Sequence, residues 1–241
     1  MILGAGRKRT TFPGLTKTSD GTRTVGQASP PLGEELQLQF IQKPHTSFNL
    51  AGGLAARGLD VLLVDSDPQG STTGWGYARE DRGDTAPQVI SMTGPKNLQS
   101  VSKEKTTYDH VVINGSARLE ELLGAAIQVA DVVIIPVCPS ALDLYATHEV
   151  LDIVRQQQKA RTRELRYALC VTQQIGGSTL AREVGGAAKE LGVPLLESRM
   201  THRVAFARAA QLGMTVQEYE PHGKAASETD QLVAEILTLL K

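Results

Sequence analysis

The sequence has few cysteines, few aromatic residues and almost no net charge. Cys138 and Cys170 both lie in apolar, strand-like runs, and their separation is not that of zinc ligands. Two such cysteines argue against a disulfide framework and favour a reducing compartment, the cytoplasm. Aromatic residues make up 4% of the 241 residues and hydrophobic residues 41%, so we expect a mainly aliphatic core.

The net charge and the length of the apolar runs argue against two further classes, proteins that bind nucleic acid through their overall charge and proteins that span a membrane. The net charge of −1 argues against binding to nucleic acid through overall charge, although it leaves room for a local basic patch. The longest apolar runs, such as residues 132–137, are too short to span a bilayer. The basic N-terminal residues are not followed by the apolar segment of a secretory signal. We therefore expect a cytoplasmic protein with no membrane partner.

The chain divides into two parts at about residue 35. Residues 1–35 are rich in Gly, Thr, Ser, Pro and basic residues and show neither helical nor strand periodicity. This composition predicts a poorly ordered, mildly basic N-terminal tail. Residues 36–241 have the pattern of a single α/β domain, of ordinary size for one hydrophobic core.

Short apolar strands alternate with helices beyond residue 35. Strands are predicted at 36–41, 61–64, 111–113, 132–137, 167–172 and 195–196, and helices at 48–57, 119–129, 142–159, 179–191, 204–212 and 227–240. Such alternation is typical of right-handed βαβ crossovers. It predicts a doubly wound, mostly parallel sheet with helices on both faces. The polar stretch 76–107 is predicted to form surface connections with one helix.

The most informative segment is VLLVDSDPQGS, residues 61–71. An apolar strand ends there in Asp65 and Asp67, followed by Pro68 and Gly70. Buried parallel strands deliver such side chains to the carboxyl edge of the sheet, where open α/β folds bind ligands. The alternative is a strand followed by a turn with solvated acids.

Two further strands end in polar residues. Residues 108–116, YDHVVINGS, form an apolar strand that ends at Asn114. Residues 130–144, ADVVIIPVCPSALDL, combine a buried strand with a helix cap around Pro139. Together with residues 61–71, these segments resemble the ParA/MinD group of deviant-Walker P-loop ATPases, and within it the ParA-type partition proteins. The resemblance covers about residues 36–241 and implies a P-loop NTPase-like fold.

The resemblance implies roles for the residues at the strand ends. Asp67 would position the attacking water, and Asp65 would support the Mg²⁺ shell beside the γ-phosphate. Asn114 stands where the family places a Mg²⁺-holding aspartate, and an uncharged amide should bind the metal shell more weakly. Pro139 and Thr172 would line the nucleotide base pocket.

The phosphate-binding loop that the family carries is broken in this sequence. Lys43 matches the start of the family loop, and Thr46 and Ser47 match its end, so these residues would contact phosphate and Thr46 would bind Mg²⁺. The glycines and the main lysine between them are absent, and Pro44 removes an N–H donor. Two explanations stay open: a degenerate member that has lost ATPase activity, or an altered reading frame or uncertain start that affects residues 1–48.

Residues 198–210 resemble the basic loop and helix of ParA-type proteins, followed by the G-x-T-V-x-E pattern at 213–218. Arg199, Arg203 and Arg208 are therefore candidates for contacting DNA phosphates without reading sequence. The alternative is a solvated face whose charge serves solubility. A second basic cluster is better explained as a solvated helix end and loop: Arg155, Lys159, Arg161, Arg163 and Arg166.

Two functions follow from the resemblance. The first is a DNA-partition ATPase that uses ATP and Mg²⁺ to form a homodimer, binds non-specific DNA on the nucleoid and is stimulated by a ParB-like centromere-binding partner. The second is a pseudo-ATPase on the same fold, which binds DNA or protein without hydrolysis.

Overall fold

The computed structural model describes residues 15–17, 23–25, 36–41, 44–101, 108–116, 119–175 and 180–240. The strands are β1 (Leu15–Lys17), β2 (Arg23–Val25), β3 (Leu36–Ile41), β4 (Val61–Asp65), β5 (Gln88–Ser91), β6 (His110–Gly115), β7 (Val132–Val137), β8 (Arg166–Gln174) and β9 (Leu195–Thr201). The helices are α1 (Pro44–Ala55), α2 (Ser71–Asp81), α3 (Pro95–Val101), α4 (Glu120–Val129), α5 (Ala141–Ala160), α6 (Leu180–Leu191), α7 (Val204–Gln211), α8 (Val216–Tyr219) and α9 (Lys224–Leu239).

Seven strands form one parallel sheet in the order β5-β4-β6-β3-β7-β8-β9. This confirms the predicted doubly wound α/β fold. The chain leaves β3 toward one side of the sheet and returns past it to β7 on the other. The strand order therefore reverses around β3, and open sheets of this kind bind ligands in the crevice at the carboxyl ends of the strands at such a point. None of the helices in the described ranges has an apolar stretch long enough to cross a bilayer.

A short hairpin lies within the region predicted to be a poorly ordered tail. Strands β1 and β2 pair antiparallel, with Leu15 opposite Val25 and Lys17 opposite Arg23. The other residues of 1–35 lie outside the described ranges, so the expected tail stays a prediction.

Two elements differ from the sequence-based expectation. The stretch 76–107 contains most of α2, the strand β5 and the helix α3, rather than connections with one helix. β9 runs to Thr201, so Arg199 lies in a strand and not in a loop. β5 was missed and β9 was cut short, and both are edge strands of the sheet. Only Ile90 is buried in β5, and β9 alternates between buried and more exposed positions, so neither strand contains a continuous apolar run.

The core is aliphatic, as the composition predicts, and lies on both faces of the sheet. Its main aromatic contact joins two helices: the rings of Phe48 in α1 and Trp75 in α2 stack with centroids 4.6 Å apart and planes at 11°. Trp75 Nε1 also donates to the carbonyl of Met214, 3.1 Å away. Helices α1 and α2 are therefore held against each other directly behind the carboxyl edge of the sheet.

Carboxylates from α9 cover the edge strand β9. The backbone N–H groups of Glu197 and Ser198 donate to the two carboxylate oxygens of Glu235, at 2.8 and 2.9 Å. The N–H of Thr201 donates to Glu228 at 2.9 Å. Unpaired edge N–H groups invite pairing with another chain, so these contacts close that edge.

Residues 213–218 join helices α1, α2 and α7. The N–H of Val216 donates to Oδ1 of Asn49 in α1 at 2.7 Å. Arg79 of α2 makes two bonds to the Glu218 carboxylate, at 2.7 and 2.8 Å, and a third to the carbonyl of Gly213. Thr215 caps α8 in a capping box with Glu218. The G-x-T-V-x-E pattern is thus a packing element behind the basic helix.

Candidate functional site

Asp65 ends β4 and is completely buried at the carboxyl edge of the sheet. Its Oδ2 accepts from the backbone N–H of Thr73 at 2.8 Å and from the Thr73 hydroxyl at 3.0 Å. The N-cap residue of α2, Gly70, has no side chain to cap the helix. Asp65 therefore does this from the neighbouring strand, and its negative charge lies at the positive end of the helix.

Asn114 ends β6, the strand next to β4, and its side chain is buried between two partners. Nδ2 donates to Asp65 Oδ1 at 3.2 Å, and Oδ1 accepts from the Ser47 hydroxyl at 2.8 Å. The fold thus brings together three residues that sequence reasoning assigned to the nucleotide and metal site: Ser47, Asp65 and Asn114. They come from α1, β4 and β6.

Asp67 lies two residues further along the loop and is partly exposed. Its Oδ1 accepts from the N–H of Gln69 at 3.0 Å, and its own N–H is 3.3 Å from Asp65 Oδ1. The carboxylate therefore shapes the 66–70 turn at the edge of the crevice. Its predicted role in positioning a water stays a prediction.

The phosphate-loop region leads into helix α1. Strand β3 ends at Ile41, and helix α1 begins at Pro44. The two residues between them, Gln42 and Lys43, lie outside the described ranges. Thr46 and Ser47 are buried in the first turn of α1. Ser47 makes the bond to Asn114, and the role of Thr46 in binding Mg²⁺ stays a prediction.

These residues do not fit a Mg²⁺ shell as they stand. Both oxygens of Asp65 accept hydrogen bonds, and Asn114 contributes a neutral amide that already bridges two groups. No cluster of three acidic, histidine or cysteine side chains suited to a metal occurs in the described ranges. Mg²⁺ prefers carboxylate oxygens and waters in octahedral geometry, and no unoccupied carboxylate oxygen of Asp65 faces this site.

A second polar group lies at the ends of β7 and β8. The hydroxyl of Thr172 is buried without a hydrogen-bond partner among the described residues. Gln173 next to it has a φ of 53°, an uncommon backbone conformation for a residue other than glycine, and lies 3.4 Å from the sulfur of Cys138. Pro139 follows in the loop before α5. Ser140 caps that helix, and the Asp143 carboxylate accepts from the N–H of Cys138. An orphaned hydroxyl beside a strained residue is suited to receiving part of a ligand.

The three arginines predicted to contact DNA differ in their surroundings. Arg199 on β9 and Arg208 in the last turn of α7 are exposed. Arg203 instead binds Glu228, with nitrogen–oxygen distances of 2.6 and 3.1 Å. Its charge is already paired, so Arg199 and Arg208 are the better candidates for phosphate contacts.

The second basic cluster was predicted to be a solvated helix end and loop, but three of its arginines bond to carbonyls at the ends of other helices. Arg161 donates to the carbonyls of Ile127 and Ala130 at the end of α4, and Arg155 donates to the carbonyl of Leu191 at the end of α6. Arg166 donates to the carbonyl of Leu239 in α9. Cations at helix C-termini offset the negative end of the helix dipole.

Sequence reasoning missed Thr73, the residue that holds Asp65. It gives both of its donors to Oδ2 of that carboxylate. A signal was present, because a threonine three positions into a helix that lacks a capping side chain has a free N–H to satisfy. What the sequence did not show was that the acceptor would come from the strand before it.

The chain is similar to known proteins in both sequence and fold. A family model described as "CobQ/CobB/MinD/ParA nucleotide binding domain" matches residues 43–216. A "Maintenance of carboxysome distribution protein A" from Halothiobacillus neapolitanus is 28% identical over 81% of this chain and 90% of that protein. A protein of the same description from Gloeobacter kilaueensis is 31% identical over 79% and 84%.

A partition protein and solved structures match as well. The "Chromosome-partitioning ATPase Soj" of Thermus thermophilus is 24% identical over 82% of this chain and 91% of that protein. The septum site-determining protein MinD of Pyrococcus horikoshii, solved in complex with Mg-ADP, superposes with a TM-score of 0.63 at 18% identity, covering 86% of this chain and 97% of the other. At this identity the structural similarity speaks for the fold alone.

Proposed function

Because this chain belongs to the CobQ/CobB/MinD/ParA family of nucleotide-binding domains, we propose that it is a ParA-like positioning protein that binds a nucleotide and non-specific DNA. The cargo is a DNA replicon, as sequence reasoning proposed, or a larger cellular body, as the carboxysome-distribution relatives suggest. The observation that carries the proposal is the meeting of Ser47, Asp65 and Asn114 at the switch-point crevice.

The nucleotide would lie along the carboxyl edge of the sheet. Lys43, Thr46 and Ser47 would face the phosphates at the positive end of α1. Pro139 and Thr172 would line the base, since the Thr172 hydroxyl is buried without a protein partner among the described residues. ATP would supply a γ-phosphate, and the presence or absence of that phosphate distinguishes the two states of a nucleotide switch. The residues of this chain bind and orient it.

The expected partners follow from exposed surfaces. Large apolar side chains are exposed in the segments that follow β6, β7 and β8, at the carboxyl ends of these strands: Leu119 (40%), Tyr145 (72%) and Ile175 (72%). A homodimer across this edge would cover them, as apolar patches beside a ligand site commonly are. Non-specific DNA would lie on Arg199 and Arg208. A ParB-like partner and a nucleoid location complete the proposal.

The second candidate is a pseudo-ATPase that keeps the fold and binding surfaces without hydrolysis. The observation that favours it is the uncharged Asn114 between Ser47 and Asp65, where the resembled family has an acid. Under this alternative, ATP binds weakly or not at all, and DNA binding does not depend on it.

Titration calorimetry with ATP tests the proposal. We expect micromolar affinity for the 241-residue protein, because Thr46 and Ser47 lie in the first turn of α1, at the positive end of that helix. Asp67→Ala should bind equally well, since that side chain bonds only within its own turn. No heat of binding at millimolar ATP would reject the nucleotide switch and leave the pseudo-ATPase. Micromolar ATP binding without formation of ADP would keep the nucleotide switch and reject hydrolysis by this protein.

DNA binding is tested by reversing two charges. The double variant Arg199→Glu/Arg208→Glu should weaken binding to random duplex DNA at low salt, because two exposed cations facing phosphate are lost. The slope of log affinity against log salt should fall by about 2. Fluorescence anisotropy over a salt series measures both quantities.

Lys159→Glu is the matched control for this experiment. Lys159 is exposed in the last turn of α5 and belongs to the cluster that closes helix ends, so its reversal should leave the salt slope unchanged. Arg203 is left intact because its partner Glu228 also holds Thr201. The control reverses one charge where the double variant reverses two. A salt slope that falls half as far in the control as in the double variant would show that net charge, and not this surface, governs DNA binding.

A further inference from the structure

Four side chains form one continuous series of hydrogen bonds across the candidate site. The Ser47 hydroxyl donates to Asn114 Oδ1 at 2.8 Å, Asn114 Nδ2 donates to Asp65 Oδ1 at 3.2 Å, and Thr73 donates twice to Asp65 Oδ2. Ser47 and Asp65 are fully buried, and Asn114 is 1% exposed. These hydrogen bonds join α1, β6, β4 and α2.

The direction of the Asn114 amide follows from its neighbours. An ionised carboxylate such as Asp65 only accepts hydrogen bonds, so the amide nitrogen must face it and the amide oxygen must face Ser47. An amide is the group that donates at one end and accepts at the other. Each contact in the series Ser47–Asn114–Asp65–Thr73 therefore pairs a donor with an acceptor.

An ionised aspartate at position 114 would break this pairing. Two carboxylate oxygens would face each other across the 3.2 Å that now separates Asn114 Nδ2 from Asp65 Oδ1. Buried like charges at such a distance repel strongly. A divalent cation between them would remove the repulsion, because a site with two carboxylates and a hydroxyl has the oxygen ligands that Mg²⁺ prefers.

We propose that the Asn114 amide takes the place of a divalent cation at this site. By donating to Asp65 and accepting from Ser47, it holds α1, β4, β6 and α2 together without a bound metal. Ser47 and Asp65 bond directly to this amide, and Thr73 fixes the Asp65 carboxylate. The proposal rests on the geometry of these four residues alone, and it stands whether the nucleotide and DNA functions proposed above are right or wrong.

The experiment compares thermal unfolding of wild type and Asn114→Asp at pH 8, without nucleotide or DNA, in EDTA and in MgCl₂. The wild-type melting temperature should be the same in both. Asn114→Asp should melt about 5 °C lower in EDTA, because the repulsion between two buried carboxylates shifts the melting of a domain of this size by roughly that amount. MgCl₂ should restore most of the loss.

Asn97→Asp is the matched control, since Asn97 is exposed on α3 and its change adds the same charge outside the site. It should respond to Mg²⁺ as the wild type does. Two results would overturn the proposal. One is a rise in the wild-type melting temperature in MgCl₂ that is larger than that of Asn97→Asp. The other is an Asn114→Asp variant that melts at the wild-type temperature in EDTA and does not respond to Mg²⁺.

A direct metal titration covers the case in which Asn114→Asp does not fold. Calorimetry of the wild-type protein with MnCl₂, again without nucleotide, should show no saturable binding, because Asp65 has no oxygen to spare. A stoichiometric site in the wild type that Asn114→Leu abolishes would show that the amide is itself a metal ligand, and the proposal would be wrong.

Discussion

Gly213→Ala should destabilise the protein by about 3–5 kcal/mol, or prevent folding, because two costs coincide at this position. Gly213 follows α7 with a φ of 64°, a left-handed conformation that L side chains rarely adopt. A Cβ there would also lie 2.6 Å from backbone atoms of Ala78 and Arg79 in α2. Backbone atoms within a helix cannot move aside as the end of a flexible side chain can. Chemical denaturation measures the loss.

Gly192→Ala separates the two costs. Gly192 follows α6 with a φ of 65°, and nothing lies within 4 Å of the Cβ that the change would add. This variant should lose only about 1–2 kcal/mol, the cost of the left-handed conformation. Equal losses in the two variants would mean that the close approach of α2 to residue 213 contributes nothing to the free energy of unfolding.

Glu218→Ala should cost about 3 kcal/mol, because it leaves the Arg79 charge buried without its carboxylate. The side chain of Arg79 is 5% exposed and that of Glu218 is 39% exposed, so the cation cannot turn to water when its partner is removed. The variant also loses the capping box of α8. Glu149→Ala, an exposed change on α5, is the control and should lie within about 0.5 kcal/mol of wild type. Chemical denaturation measures each variant.

The contribution of Glu218 should also depend on pH in a defined direction. Burial raises the pKa of Glu218, but the hydrogen bonds from Arg79 and Thr215 more than offset this, so its pKa lies below the ordinary glutamate value. A carboxyl whose pKa is lowered by folding stabilises fully above its unfolded pKa and loses this contribution as the pH falls through its folded pKa. The stability gap between wild type and Glu218→Gln should therefore narrow below about pH 4.5. A constant gap down to about pH 2 would show that the Arg79 contact does not depend on the charge of Glu218.

Gly213→Ala and Glu218→Ala both change the segment 213–218. This segment lies between the candidate nucleotide site and helix α7, which carries Arg208. Asn49 of α1 accepts a bond from Val216, and Arg79 of α2 binds Glu218 and Gly213. α1 begins at the phosphate-loop region, and α2 follows the Asp65–Asp67 loop. The position of α7, with Arg208, is therefore fixed directly against the two helices that leave the candidate site.

The fold class and the location of the candidate site could be predicted from the sequence for a physical reason. Strands such as β4, β6 and β7 are buried on both faces, so they appear as unbroken apolar runs, and parallel strands bring their last residues to one edge. That placed Asp65 and Asn114 on neighbouring strand ends. The edge strands β5 and β9 are only half covered, and the first was missed and the second cut short.

Other features were decided only by the tertiary structure. The pairing of Arg203 with Glu228 joins residues 25 positions apart, and that of Arg79 with Glu218 joins residues 139 apart. The sequence shows which residues carry charge, but which charges are paired depends on how α9 and α2 pack against their neighbours. For the same reason Asp65 looks like a metal-binding acid in the sequence. In the folded chain it is a buried carboxylate whose hydrogen bonds come from Thr73 and Asn114, because the sheet places those donors around it.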